Sequence, residues 1–148
     1  MIRRARPADG AAVESIVNEA YAIYIDRIGK PPGPMVDDYG PLIAAGAVHV
    51  FEPDGQPVEA IIVLLEKPDH LLLDNIAVRR DRQGQGLGRR LIAFAEDEAR
   101  RLGHAEIRLY THVTMVENVA LYTRLGFAET GRGRDAGYER VFMTKRLV

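Results

Sequence analysis

Three glycines alternate in the segment Gln83-Gly84-Gln85-Gly86-Leu87-Gly88, a spacing that suits the binding of a phosphate group. Glycine has no Cβ atom, so backbone N–H groups beside it can approach a ligand closely. Apolar residues at helical spacing follow, so the segment opens a predicted helix. The first N–H groups of a helix are unpaired, and its dipole is positive at that end. We call residues 83–88 the glycine loop and predict that its backbone binds a phosphate.

Two common phosphate-binding patterns do not fit the glycine loop. The dinucleotide pattern G-x-G-x-x-G needs a glycine three residues after Gly86, where this sequence has Arg89. The pattern G-x-x-x-x-G-K-[ST] is absent. The pattern Q/R-x-x-G-x-G/A does match residues 83–88.

Apolar patterns predict the elements that must position this loop. The stretch Ala60–Leu65 is continuously apolar, as in a strand buried on both faces, and Leu71–Val78 forms a second long apolar strand directly before the loop. After the loop, apolar residues recur every three or four positions from about 86 to 102, which is typical of an amphipathic helix. The loop therefore joins a buried strand to a helix.

The complete order of elements predicts an α/β (α+β) fold. We expect one domain over residues 1–148, with a mixed central sheet of about seven strands and helices on both faces. Between residues 24 and 39, three closely spaced prolines predict an irregular chain. The predicted strands cover residues 2–5, 49–51, 58–66, 71–78, 107–110, 127–130 and 138–145, and the predicted helices cover about 9–22, 35–45, 86–102 and 116–125.

Composition excludes several classes of protein. The 148 residues include 20 Lys and Arg against 21 Asp and Glu, so the basic excess of a general nucleic-acid binder is missing. No cysteine is present, which excludes disulfides, thiolate metal sites and a thiol nucleophile. No apolar run approaches the roughly 20 residues needed to span a bilayer, and the N-terminus lacks the apolar segment of a signal peptide. We therefore expect a cytoplasmic protein without nucleic-acid or membrane partners.

The glycine loop and its context resemble the GNAT family of N-acetyltransferases. The loop follows Ile76-Ala77-Val78, and 34 residues separate Gly88 from Tyr122, in the block Leu121-Tyr122-Thr123-Arg124-Leu125-Gly126-Phe127. The predicted order of elements is also that of the family, so the resemblance covers the whole chain. It implies acetyl-CoA as the co-substrate, an amine as the acceptor and no metal.

The resemblance also implies which residues bind acetyl-CoA. The pyrophosphate would rest on the loop, and strand edge groups would bond to the pantetheine amides and polarise the thioester carbonyl. Many family members have asparagine seven residues before the tyrosine, where this chain has Met115. Asn118 shares a helix face with Tyr122, and it either contacts CoA one turn later, caps the helix or is solvated. The implied contacts are Ile76, Ala77, Val78, Gln83, Gly84, Gly86, Leu87, Gly88 and Arg89.

Proton transfer requires two further groups. The amine must lose a proton before it attacks, and the leaving thiolate must gain one. The resemblance implies Tyr122 as the proton donor, although packing beneath the pantetheine is the alternative. Leu72 stands where some members carry a glutamate base, and Asp74 lies on the same strand face. Asp74 is a base acting through water, an anchor for the substrate ammonium or an acceptor for loop amides, while His112 is the rival base or an ordinary surface residue.

The acceptor site is implied near the first two helices, the loop between them and the last strands. Its mixed aromatic and acidic character favours a small amine or an amino-acid-like molecule. Without cysteine, the amine would attack the thioester directly. The alternatives are a protein or peptide N-terminal acetyltransferase and a non-catalytic acetyl-CoA-binding regulatory module, and a homodimer is the candidate assembly. The expected substrate-binding residues are Tyr24, Arg27, Met35, Asp38 and Tyr39, with Tyr21, Asp37 and Tyr138 close to them.

Overall fold

Seven strands and six helices build the protein in a computed structural model that describes residues 1–147. The strands are β1 Ile2–Arg4, β2 Val48–Phe51, β3 Ala60–Glu66, β4 Leu71–Val78, β5 Glu106–His112, β6 Ala128–Asp135 and β7 Tyr138–Arg146. The helices are α1 Gly10–Tyr21, α2 Tyr24–Ile28, α3 Gly33–Val36, α4 Tyr39–Ala44, α5 Leu87–Arg101 and α6 Val116–Arg124. Two 3-10 turns, Pro7–Asp9 and Arg80–Arg82, precede α1 and the glycine loop.

The strands form one sheet in the order β1-β2-β3-β4-β5-β7-β6. β4 and β5 are parallel, whereas the pairs β1–β2, β2–β3, β5–β7 and β6–β7 are antiparallel. A sheet with both kinds of pairing is mixed, and the α/β fold with about seven strands is therefore confirmed.

The central strand β4 alternates strictly between two environments. Leu71, Leu73, Asn75 and Ala77 are buried, whereas the residues between them are partly exposed. The parallel register with β5 runs from Leu71–Ile107 to Leu73–Leu109, and β4 then continues to Val78. Because side chains alternate along a strand, Asp74 lies on the partly exposed side of β4.

Contacts divide the chain into two compact units. The first unit comprises Met1–Leu64 and Asn75–Leu91, and the second comprises Leu65–Asp74 and the chain from Ile92 onward. Each unit has its own apolar core. Fully buried side chains of the first unit include Val13, Val17, Val48, Val50, Ile61 and Ile62, and those of the second include Leu71, Leu73, Ile92, Ile107 and Met143.

Between residues 24 and 39 no long helix forms, as the prolines predict, but the prediction that the whole segment is irregular was wrong. Two short helices, α2 and α3, lie there, and the single helix predicted over 35–45 is replaced by α3 and α4. Pro34 is compatible with α3 because it lies in the first turn, where a missing N–H leaves no hydrogen bond unmade. Asp37 is extended and ends α3, and the Asp38 carboxylate accepts a 3.1 Å hydrogen bond from the Gly40 N–H to begin α4.

Two strand ends also differ from the prediction. β5 continues to His112, and β6 extends to Asp135, because both pair with β7 over nearly its whole length. Within residues 1–147, no helix is both long enough and apolar enough to cross a membrane.

Candidate active site

The glycine loop has a backbone conformation that favours glycine at two positions. Gly84 and Gly86 both have φ of 81°, in the left-handed region that side chains with a Cβ atom rarely adopt. A Cβ atom built on either residue would meet no protein atom within 4 Å. Open space therefore lies beside these two glycines, and the loop leads directly into the N-terminus of α5, where backbone N–H groups attract anions.

Two glutamates of the first unit hold the turn that precedes the loop. The Arg80 N–H donates to Glu19 Oε1 at 2.8 Å, and Arg82 Nε donates to Glu59 Oε2 at 2.8 Å. Glu59 is 7% exposed, and its charge raises the pKa of Arg82 through this hydrogen bond. Neither glutamate was identified from the sequence. Glu59 stands directly before the apolar run of β3, where a buried charge needs a partner.

The end of β4 is joined to the loop and to α1. Gln83 Nε2 donates to the Val78 carbonyl at 3.1 Å, so this side chain folds the loop back onto the strand. The Tyr21 hydroxyl lies 2.9 Å from the Ile76 carbonyl. Both carbonyls belong to the predicted pantetheine-binding edge, and each keeps a second lone pair for another donor.

The two arginines that follow the loop differ in their contacts. The Arg90 guanidinium lies 4.6 Å from the centre of the Phe51 ring, a cation–π contact. Arg89 is exposed, and its side chain forms no hydrogen bond or ion pair with any of residues 1–147. Arg89 is thus the arginine whose charge is available to a ligand at this helix end.

A buried amide lies on the other side of β4 in the first unit. Asn75 is 3% exposed, its Oδ1 is 2.7 Å from the Tyr21 hydroxyl, and its Nδ2 donates to the Tyr39 hydroxyl at 2.9 Å. Tyr39 in turn donates to the Pro34 carbonyl at 2.6 Å. Tyr39 is only 2% exposed, so its hydroxyl connects α3 and α4 to β4. The sequence analysis named Tyr39 as a substrate contact and missed Asn75.

The remaining predicted acceptor residues lie on the short helices. Tyr24 is buried, and the Arg27 guanidinium lies 5.1 Å from its ring centre. Met35 is partly exposed on α3. The Asp38 carboxylate is the N-cap of α4, so one of its oxygens already has a structural role.

In the second unit, Asp74 has a phenol as its partner. The Tyr110 hydroxyl donates to Asp74 Oδ1 at 2.8 Å. Burial raises the pKa of Tyr110 to about 12, and the nearby Asp74 charge adds to the shift, so Tyr110 stays protonated at neutral pH. Asp74 therefore accepts from Tyr110, where a bond from loop amides had been one expectation. Tyr110 was not identified from the sequence.

An arginine from β7 covers the same tyrosine. The Arg140 guanidinium lies 4.0 Å from the centre of the Tyr110 ring and 5.7 Å from that of Tyr138. Its Nη1 donates to Asp135 Oδ2 at 3.1 Å. The Arg140 side chain is 12% exposed, against 57% for Asp135. A cation is thus fixed beside the Asp74–Tyr110 pair, and no sequence pattern singled it out.

His112 lies at the end of β5, where one nitrogen is used by the backbone. The Thr114 N–H donates to His112 Nδ1 at 3.2 Å, and the ring packs edge-on against Tyr138 at 6.3 Å. The same Nδ1 atom lies 3.0 Å from the Thr114 hydroxyl oxygen, so this nitrogen is already used within the protein.

Helix α6 carries the other two candidates of the second unit. Tyr122 is 6% exposed, and its ring packs edge-on against Phe127 with centroids 5.7 Å apart. The side chain of Asn118 lies 3.7 Å from the Met115 sulfur. Met115 is the N-cap residue of α6 and Asn118 lies inside the first turn, so the capping role considered for Asn118 was wrong.

Among residues 1–147, no three His, Cys, Asp or Glu side chains are grouped so that they could hold a metal ion. The glycine loop offers backbone donors and the exposed Arg89 cation in the first unit, and the Asp74–Tyr110 pair offers proton-carrying side chains in the second.

Comparison with known proteins gives the same family as the motifs. A model of the acetyltransferase (GNAT) family matches residues 13–127. The uncharacterised N-acetyltransferase YvbK of Bacillus subtilis is 28% identical over 114 residues, which are 77% of this chain and 70% of YvbK. The ribosomal protein bS18-alanine N-acetyltransferase of Escherichia coli is 43% identical over 61 residues, 41% of each chain, so the match spans less than half of that enzyme.

The fold is also that of solved acetyltransferases. The PaiA N-acetyltransferase of Thermoplasma acidophilum, whose structure contains coenzyme A, superimposes with a TM-score of 0.81 over 99% of this chain and 98% of PaiA, at 16% identity. The family model covers most of the sequence, including the glycine loop and the Leu-Tyr block. The chain therefore belongs to the acetyltransferase (GNAT) family, as these two motifs predict.

Proposed function

We propose that this protein is an acetyl-CoA-dependent N-acetyltransferase that transfers the acetyl group directly to the primary amine of a small molecule. The observation that carries the proposal is the glycine loop: two left-handed glycines with open space beside them, at the N-terminus of α5. Family membership and the coenzyme A in the PaiA structure support acetyl-CoA as the donor. One domain over residues 1–148, a cytoplasmic location and a homodimer stay predictions.

The first unit would hold the co-substrate. The N–H groups of Gly84, Gly86, Leu87 and Gly88 would donate to the pyrophosphate. The groups of Gly86, Leu87 and Gly88 lie at the start of α5, where the first N–H groups of a helix are unpaired. Gln83 would position the loop through its bond to Val78, and exposed Arg89 would add charge for a further phosphate. The edge of β4 at Ile76, Ala77 and Val78 would bond to the pantetheine amides as a neighbouring strand does, and Asn118 of α6 is the remaining proposed contact.

The second unit would supply the groups that move protons. The amine nitrogen attacks the thioester carbonyl carbon, the C–N bond forms, and the C–S bond breaks as the tetrahedral intermediate collapses. One proton leaves the amine nitrogen and one joins the CoA sulfur. We assign the first to Asp74, whose Oδ1 is held by Tyr110, and the second to the Tyr122 hydroxyl. His112 is the weaker candidate base, because its Nδ1 already accepts from Thr114.

The short helices of the first unit would shape the acceptor side. Tyr24 and Arg27, which stack, and Met35, which is partly exposed, would contact the acceptor. Asp38 and Tyr39 would act by holding α3 and α4 in place, since both have bonds within the protein. Asp38 and Tyr39 would then position the acceptor side without touching the acceptor.

Acetylation of a protein N-terminus is the second candidate function. It is favoured by the 43% identity over 61 residues to the bS18-alanine N-acetyltransferase. A third candidate, a regulatory module that binds acetyl-CoA without catalysis, would keep the glycine loop but would not need Tyr122 as a proton donor.

One experiment separates the three functions. Thiol release from acetyl-CoA is measured with a panel of small amines and with a peptide that begins with alanine, using wild type and Tyr122→Phe, while CoA binding is measured by calorimetry. Turnover with small amines that falls in Tyr122→Phe supports the proposal. Turnover with the peptide alone favours N-terminal acetylation. Binding of CoA without turnover on any acceptor would leave the regulatory module.

A further inference from the structure

A carboxylate and a guanidinium of the second unit meet on a single tyrosine side chain. Asp74 accepts from the Tyr110 hydroxyl at 2.8 Å, and the Arg140 guanidinium lies 4.0 Å from the centre of the same ring. The proposed function uses Asp74 but gives no role to Arg140. Opposite charges that contact the same side chain suit a ligand that carries both charges itself.

Each charged group has capacity left for a ligand. The hydrogen bond from Tyr110 uses Oδ1 of Asp74, and a carboxylate can accept on its second oxygen as well. The ion pair with Asp135 and a hydrogen bond to Tyr110 engage Arg140, and the planar fork of an arginine carries five N–H donors, so further donors are left for a ligand. The Tyr110 and Tyr138 rings lie beside the guanidinium, 4.0 Å and 5.7 Å from it.

We propose that the acceptor is a free α-amino acid, whose ammonium binds Asp74 and whose carboxylate binds Arg140. The inference rests on the proposed function and narrows its acceptor to a zwitterion. Asp74 holds the nitrogen that reacts, and Arg140 binds the carboxylate as a charge-assisted pair, which is the geometry that arginine recognises best.

Asp135 then has the role of a competing anion. It lies on the exposed β6–β7 hairpin, and its side chain is 57% exposed. In the absence of substrate it neutralises Arg140, and a substrate carboxylate shares or replaces this pair. Removal of the Asp135 charge should therefore strengthen the binding of an amino acid. If the Asp135–Arg140 pair had only a structural role, this change would only lower the stability of the protein.

The test compares acceptors that differ in the carboxylate. Thiol release from acetyl-CoA is measured for leucine against 3-methylbutylamine and for phenylalanine against 2-phenylethylamine. Leucinamide, which has a less basic amine than leucine, separates the effect of charge from that of amine basicity. We expect kcat/KM to be at least about tenfold higher for each amino acid than for its matched amine, the scale of one charge-assisted hydrogen bond. Equal or higher values for the amines or for leucinamide overturn the inference.

Variants make the role of Arg140 specific. Arg140→Gln should lower the ratio of kcat/KM between leucine and 3-methylbutylamine by about tenfold, and Asp135→Asn should lower the KM for leucine. Arg132→Gln is the matched control, since Arg132 forms a similar ion pair with Glu129 on the same hairpin, and it should leave the ratio unchanged. A ratio that stays constant in Arg140→Gln, or a KM that rises in Asp135→Asn, contradicts the proposal.

The outcomes also separate this inference from the proposed function. If wild type acetylates simple amines as well as it does amino acids, the proposed function stands and the zwitterion site is wrong. If CoA binds but no small amine or amino acid is acetylated, both fail. Circular dichroism melting of each variant shows whether a lost ratio reflects unfolding, because unfolding lowers activity on both acceptors together.

Discussion

Arg82 Nε donates a 2.8 Å hydrogen bond to Oε2 of Glu59, which joins the residue before β3 to the turn before the glycine loop. The carboxylate side chain is 9% exposed and the guanidinium 37%. This pair fixes the position from which the loop starts, although neither residue belongs to the loop itself. The shape of the proposed anion site therefore depends on a contact between residues 23 positions apart.

Replacement of Arg82 should loosen the loop more than it destabilises the fold. In Arg82→Gln the Glu59 carboxylate loses its charged partner while it stays buried, an effect that is reduced because the Arg82 side chain is partly exposed. We expect a weaker CoA affinity in calorimetry and a slightly lower Tm. Arg79→Gln is the control, since it breaks only the exposed ion pair with Asp81. Equal CoA affinity in both variants would mean that the pair does not shape the loop.

The two left-handed glycines of the loop should tolerate no Cβ atom. Gly86→Ala places a side chain on a residue with φ of 81°, which costs about 1–2 kcal/mol. In this space the Cβ atom would also stand where a phosphate approaches. We expect a loss of CoA binding that exceeds the loss of stability.

Gly55→Ala is the matched control for this variant. Gly55 has φ of 70° and equally open surroundings, but it lies in the turn between β2 and β3. Its Tm should fall by a similar amount in thermal melting, while its CoA affinity should not change. A similar loss of CoA affinity in both variants would show that strain alone, and not the ligand site, explains the effect.

Local patterns in the sequence predicted the glycine loop, whereas contacts between distant residues were missed. The loop is identified by residues within six positions, and the apolar alternation of β4 predicts its strand. By contrast, Asp74 and Tyr110 are 36 residues apart and meet only because β4 and β5 are parallel neighbours. Such a pairing depends on the sheet order, which no single segment of sequence contains.

The short helices between residues 24 and 44 show a second limit. Proline spacing predicts that no long helix forms there, which is correct, yet short helices of four and six residues form around Pro34 and after Asp38. Their stability comes from tertiary contacts, such as the bond from Tyr39 to the Pro34 carbonyl, because an isolated turn is not stable by itself.

The buried Asn75 should be important for stability. In Asn75→Ala the Tyr21 and Tyr39 hydroxyls each lose a partner in the interior, and a cavity replaces the amide. We expect the free energy of unfolding in urea to fall by about 2–4 kcal/mol. Tyr39→Phe, which removes one hydroxyl and leaves the ring, should cost about 1 kcal/mol. If Asn75→Ala lowered the free energy of unfolding by less than Tyr39→Phe does, the Asn75 amide would not be the centre of the hydrogen bonds that join Tyr21 and Tyr39.

The ionisation of Tyr110 should make the second unit sensitive to alkaline pH. The pKa of Tyr110 is raised from 10.0 to about 12 in the fold, first by burial and then by the Asp74 charge. A group whose pKa is raised by folding stabilises the protein while it is protonated, so this contribution is complete below pH 10 and is lost as the pH rises towards 12. The protein should therefore lose stability in this window.

Two measurements check the effect. The free energy of unfolding, measured in urea at pH 9 to 12, should fall more steeply for wild type than for Tyr110→Phe over the window set by the raised pKa. In Tyr110→Phe the phenolate absorbance of the six tyrosines should lose the contribution of one tyrosine near the raised pKa of about 12, while Tyr138→Phe, which changes a neighbouring ring, should retain it. An absorbance change near this pH that is unaltered in Tyr110→Phe would belong to another tyrosine. In that case the hydrogen bond to Asp74 would not hold the phenol in its protonated form.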